Sequence, residues 1–214
     1  MLSRRTRTVW ICFASAMTLL IVVLSFGESR RGRGFEIAAE TSGISALERD
    51  PIFRISHPLD RERWTGIVIH HLGRPGGDPE GIARMHRSQG LNEAGGLGYH
   101  FVIGNGNGLG DGIIHLGTRW AQQLPGAHVA GDAGHYHNRH SIGICLVGNG
   151  DRRPFTDRQI KSLVSLIDRL QRQLELPHGS VRLCRDLVPG ASSPGQYFPM
   201  VRLSEELPRL VAVD

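Results

Sequence analysis

A chain of 214 residues, 40% of them hydrophobic, is long enough for one domain of ordinary size with a real core, plus extensions. Its formal net charge of +5 arises within residues 1–34, where Arg4, Arg5, Arg7, Arg30, Arg31 and Arg33 face Glu28 alone; the rest of the chain is balanced. The excess of base therefore flanks one hydrophobic segment and gives no argument for a nucleic-acid partner.

That segment, Val9–Phe26, carries no charge and follows an arginine-rich start. Its length reaches the lower limit for a spanning helix and exceeds the usual hydrophobic region of a cleaved signal peptide. No small-x-small cleavage site follows it, so residues 1–27 read as a signal anchor, with a cleaved signal peptide as the alternative. The domain behind it is expected to be exported. It would be membrane-anchored facing the periplasm or cell exterior, or secreted if the signal is cleaved. Residues 28–63, with Arg30-Arg-Gly-Arg-Gly34, Pro51 and Pro58, read as a linker or stalk. Residues 64–202 form the expected domain, and 203–214 a C-terminal tail.

Gly66-Ile-Val-Ile-His-His-Leu72 is a β-branched run that fits a strand buried on both faces. Alternation puts Val68, His70 and Leu72 on one face and Ile67, Ile69 and His71 on the other, so only one of the two histidines can look into a given site. Asp78, Pro79 and Glu80 supply an N-cap, a favoured first helical position and a first-turn acid, predicting a helix over Pro79–Gln89 with Ile82, Met85 and His86 on one face. Gly95–Ile103 enters a second strand, Gly104–Gly112 is a turn, and Ile113–Gly117 is a third strand completing a hairpin. The glycine-rich turn lacks a following Lys-Ser/Thr pair and leads into a strand, so it is turn chemistry and no phosphate cradle.

Trp120–His140 is polar, rich in glycine and without periodicity, and reads as a long loop holding His128, His135, His137 and His140. His-x-His and His-x-x-His spacings can bind metal, although three histidines on a solvated loop need no metal at all. Ser141–Val147 is a second buried-strand pattern. Thr156-Asp-Arg-Gln159 is a capping box, and Ile160, Leu163, Val164, Ile167, Leu170 and Leu174 recur behind it at helical spacing over residues 157–175. Val181–Leu183 is a short strand, and Cys184–Gly195 is a loop. Of the three cysteines, Cys12 lies in the hydrophobic segment, leaving Cys145 and Cys184 as the only possible pair in the domain.

Several of these pieces, in this order, resemble the zinc-dependent N-acetylmuramoyl-L-alanine amidases of type 2, a group that includes peptidoglycan recognition proteins. They are Val68-Ile-His-His71, Gly98-Tyr-His-Phe101, Gly126-Ala-His128, Ser141-Ile-Gly-Ile-Cys-Leu-Val-Gly148, Arg185-Asp186 and Ser193-Pro-Gly195. The resemblance implies an α/β fold, a mixed central β-sheet flanked by helices, and peptidoglycan or its muropeptides as partner. It implies a zinc ion held by three protein ligands, whose bound water has a pKa of about 7. His70 matches the first ligand and Tyr99 the tyrosine that stabilises the developing oxyanion. His71, His128 and Ser192 match positions near the substrate.

Two ligand positions depart from the family pattern. Cys184 stands where active members carry a histidine, and Ser193 where they carry Cys or Asp before Pro-Gly. A thiolate binds zinc well, but a neutral serine hydroxyl is a poor ligand, and recognition-only members also carry serine there. The reading is therefore a peptidoglycan-directed domain of the amidase family whose degenerate zinc site binds muropeptide with weak or no hydrolysis. Alternatives are an active zinc amidase cleaving the MurNAc–L-Ala amide with Cys184 as substitute ligand, and a membrane-tethered scaffold without enzymatic activity.

Overall fold

The computed structural model describes residues 50–207 except 54 and 178. The segment Val9–Phe26, the first part of the stalk and residues 208–214 lie outside the described residues. Among the described residues no helix is long and apolar enough to cross a membrane. A short 3-10 turn covers Pro51–Phe53.

The central strands are β1 (Gly66–His71) and β4 (Ser141–Leu146), parallel and in register from Gly66 opposite Ser141 to His71 opposite Leu146. Every residue of β4 is buried, and every residue of β1 except His71, as two β-branched runs without polar alternation require. Strand β2 (Phe101–Ile103) joins β4 in parallel, β3 (Ile114–Leu116) pairs antiparallel with β2, and β5 (Val181–Leu183) lies parallel on the other side of β1. The sheet order is β3-β2-β4-β1-β5. Only the hairpin β2–β3 can be closed by a turn; each parallel neighbour needs a crossover, and the helices supply it.

Helix α1 (Pro79–Ser88) starts as its sequence dictates, with Asp78 Oδ1 accepting from the Gly81 N–H at 2.8 Å. It packs Ile82 and Ala83 against Val102, Cys145 and Val147, on the sheet face that carries His70. Between α1 and β2, Glu93–Gly96 forms a 3-10 turn, so the second strand is shorter than expected. On the hairpin side, the Gly104 main chain passes so close to Leu109 and Gly110 that a Cβ would stand 2.4 Å from their carbonyl oxygens.

The expected Trp120–His140 loop is in fact two helices, α2 (Thr118–Ala121) and α3 (Asp132–His140), joined by an extended segment. Helix α3 has no apolar stripe, which is why periodicity missed it. A side-chain amide fastens it instead: Asn138 Oδ1 accepts from the His128 and Val129 N–H groups at 2.8 and 2.9 Å, and its Nδ2 donates to the Val129 carbonyl at 2.9 Å. Gly134 allows the approach, since a Cβ there would lie 2.3 Å from the Val129 oxygen.

Helix α4 (Asp157–Leu174) has the full capping box, Thr156 accepting from Gln159 N–H and Gln159 returning to Thr156 N–H. Ile160, Leu163, Leu166, Ile167 and Leu170 are at most 2% exposed; Leu166 takes a core place that the sequence reading gave to the less buried Val164. Buried Gln159 reaches across to the carbonyls of Ile103 and Val147 at 3.1 and 2.8 Å, tying the helix to the ends of β2 and β4. The loop after β5 opens with one turn of helix, α5 (Cys184–Leu187), and α6 (Met200–Glu206) runs across the boundary expected between domain and tail. At the other boundary, part of the expected stalk lies against the domain. Ser56 N–H bonds the Ala121 carbonyl at 2.7 Å, and Asp60 N–H bonds Gln123 Oε1 at 3.2 Å.

Thr156 has two duties, because its hydroxyl also donates to Asp111 at 2.5 Å and so fixes the hairpin turn to the start of α4. Replacing it with alanine is expected to lower stability by about 1–2 kcal/mol in urea titration, whereas Thr156→Ser retains most of it.

Candidate functional site

The pleat of β1 sends His70 to the α1 side of the sheet and His71 to the α4 side. His70 is 3% exposed, lies opposite Cys145 of β4, and has Cys184 beyond the other edge of β1, just after the Ile69–Leu183 pair. Its Nε2 is 3.0 Å from His128 Nδ1. His128 Nε2 is 3.2 Å from the Ser141 carbonyl, which can only accept. The proton of His128 is therefore on Nε2, its Nδ1 accepts, and His70 Nε2–H donates.

Both rings are neutral. Burial holds the His70 pKa well below its ordinary value, helped by His128 and His71 beside it. Burial likewise lowers His128 from 6.5 to about 4. Room for the His128 ring comes from an absent side chain: a Cβ on Gly143 of β4 would stand 2.4 Å from His128 Cδ2, and one on Gly126 would stand 2.3 Å from it. Tyr99 completes the group, its ring 5.3 Å from that of His70 and stacked over His128 at 6.5 Å. Burial pushes the Tyr99 phenol well above its ordinary pKa, with the Cys145 and Cys184 thiols acting in the same direction. It stays a protonated donor.

On the far face, His71 Nδ1 accepts from the Gly150 N–H at 3.0 Å, and its Nε2 lies 3.9 Å from Asp151 Oδ2. Ser192 donates to that same carboxylate oxygen at 2.6 Å. Ser193 does something else: its Oγ accepts the main-chain N–H of His71 at 2.9 Å, replacing the strand partner that β1 loses where β5 ends. Nearby, a cavity of about 180 Å³ opens at the ends of β2 and β4, lined by Asn105, Asn149, Arg153, Phe155, Thr156 and Gln159 among others.

With this geometry in place, residues 60–196 match the sequence profile of a family described as N-acetylmuramoyl-L-alanine amidase. The chain belongs to that family. It is 34% identical over 116 residues to the endolysin of Enterobacteria phage T3, a match covering 51% of the chain and 65% of the endolysin. The solved N-acetylmuramoyl-L-alanine amidase LysC from Clostridium intestinale URNW is similar at TM-score 0.58 and 26% identity, over 72% of this chain and 92% of that one. The bumblebee peptidoglycan recognition protein PGRP-SA shares the fold at TM-score 0.54 and 23% identity, over 71% and 86% of the two chains.

For an amidase-family domain, the test is whether these residues suit the zinc that the resemblance implies. They do not form a three-ligand set. The Nε2 of His70 is bonded to a neighbouring histidine, and the hydroxyl of Ser193 is bonded to the backbone. Cys184 is packed with Val68 and Val129, and burial and Asp186 raise its pKa, so a metal bound there must first displace its proton. Among the described residues no three His, Cys, Asp or Glu side chains are grouped closely enough to hold a metal ion.

The α3 histidines supply no replacement. His135 is exposed, His137 bonds the Ser141 hydroxyl at 3.1 Å, and His140 bonds the Arg63 carbonyl at 3.2 Å. Cys145 and Cys184 are both free thiols. They lie on opposite sides of β1, about 9–10 Å apart by strand spacing, beyond the reach of a disulfide.

Three contributors went unread in the sequence. Gly143 had a visible signal, a glycine in a run of β-branched strand residues. His100, fully buried, accepts from Gly143 N–H at 2.9 Å and holds the strand under His128. Asp151 joins His71 to Ser192 across a long sequence separation and had no local signal.

The buried histidines make stability depend on pH. The unfolded chain protonates His128 near 6.5 and the folded chain only near 4, so between these values the unfolded state binds more protons. Stability is expected to fall as pH drops through this window, by about 3 kcal/mol from this residue. The measurement is the urea midpoint at stepped pH, with a shallower slope expected for His128→Gln.

Proposed function

We propose that this domain binds muropeptides of peptidoglycan and has weak or no amidase activity. The observation that carries the reading is Ser193: at the third ligand position of the family it offers a neutral hydroxyl, and that hydroxyl bonds the His71 N–H. The direct His70–His128 bond adds to it, because one ring nitrogen of His70 is already committed to an acceptor. Losing ligands lowers zinc affinity outright, since affinity depends on ligand number and deprotonation. Recognition needs neither. Tyr99 keeps a protonated hydroxyl, and the cavity beside β2 and β4 brings Arg153 and the ring of Phe155 to a stem peptide.

A second reading has one observation in its favour. Cys184 and His70 flank the same position on the same face of the sheet, beside Tyr99. A thiolate at 184 would then make the chain an active zinc amidase with an altered ligand set.

The domain is proposed to work outside the cytoplasm, held by residues 1–27 as a signal anchor, with a linker between the anchor and the domain.

Metal analysis of the purified chain decides between the two readings. Well below one equivalent of zinc, retention on insoluble peptidoglycan and no release of stem peptide on adding zinc are expected. One equivalent of zinc lost in Cys184→Ala, together with hydrolysis, would establish the enzyme reading instead. The double variant Cys184→His with Ser193→Cys is expected to raise zinc occupancy.

A further inference from the structure

At the opposite end of the sheet from His70, the starts of β1, β4 and β5 border another cavity, of about 270 Å³. Thr65, Tyr136, His137, Ser141, Ser180 and Arg182 supply its polar lining, and none of the described residues that line it is acidic. It stands apart from the peptidoglycan reading and meets the His70 site only at Ser141, whose carbonyl is the acceptor of His128.

The cavity combines a free cation, a fixed aromatic ring and hydroxyl groups. Arg182 is exposed on β5, and among the described residues its guanidinium has no carboxylate partner and no hydrogen bond. A guanidinium without an internal partner presents a planar fork of donors that matches a carboxylate in two-point geometry. Tyr136 is 54% exposed, yet its ring is held: the hydroxyl bonds Thr65 Oγ at 3.2 Å, and the ring packs on His137 and His140 at centroid distances of 5.2 and 4.8 Å. A rigid, half-exposed aromatic face with a polar tip offers an apolar surface beside hydrogen-bonding groups.

Ser180 adds a buried hydroxyl with no hydrogen-bond partner among the described residues, behind the cavity wall. The floor is open because residue 66 is glycine: a Cβ there would stand 2.9 Å from the Ser180 carbonyl and 3.4 Å from Ser141 Oγ. The volume lies just below the range of about 300–1,000 Å³ typical of small-molecule sites, so it admits one ring and no chain of them.

We propose that this cavity binds one acidic monosaccharide unit, with Arg182 taking the carboxylate and Tyr136 covering the face of the ring. Arg182 gives charge selectivity, and Tyr136 distinguishes a sugar from a bare anion. Both side chains are exposed enough to be replaced without opening the core.

Isothermal titration of the full chain in detergent tests it, with glucuronate as probe and glucose and inorganic phosphate as comparators. Saturable binding of glucuronate is expected, with glucose weaker by about tenfold or more, and Arg182→Gln is expected to weaken glucuronate by a similar factor. Tyr136→Ala should weaken glucuronate and leave phosphate unchanged. The proposal is overturned if glucuronate gives no saturable heat, if Arg182→Gln binds it like the parent, or if glucose binds as tightly. Equal affinity for phosphate and glucuronate, with Tyr136→Ala silent, overturns the sugar assignment. Unfolding midpoints of both variants matching the parent keep these outcomes separate from loss of fold.

Discussion

Pairing β1 on both edges is the constraint from which the rest of the site follows. A strand hydrogen-bonded to β4 and β5 cannot rotate, so its pleat alone decides which way each histidine points. His70 is driven onto the face of α1 and becomes a buried, neutral donor to His128, while His71 faces Gly150 and Asp151 on the other side. Residues that are neighbours in sequence thus belong to different environments. The same edge pairing explains Ser193, because where β5 stops, the next N–H of β1 still needs an acceptor and takes the serine hydroxyl.

Much of this architecture was legible in the residues. The β-branched runs at 66–72 and 141–147 identified the two central strands, and the Thr156-x-x-Gln159 box with its periodic leucines identified α4, because in each case local preference and burial ask for the same structure. Helix α3 was read as a loop since its anchor is a single amide, Asn138, which leaves no stripe in the sequence. The metal-like histidine spacing there lost its meaning once the helix turned His137 and His140 toward Ser141 and Arg63.

In the site itself, residue types were informative and their partners were not. The sequence identified His70, Tyr99 and His128 as candidates, and the resemblance led to the expectation that positions 184 and 193 depart from the family's ligand pattern. It could not show that His70 and His128 bond each other, since that depends on a gap in β4, nor that Ser193 serves a backbone N–H, since a main-chain partner has no letter. Asp151 was invisible for a related reason: it bridges two loops that meet only in the folded chain.

The gap at Gly143 has a further consequence for how this domain can change. With a Cβ there 2.4 Å from the His128 ring, even alanine would force that ring aside and deprive His70 of its acceptor. The histidine pair is thus maintained by a volume no larger than a methyl group.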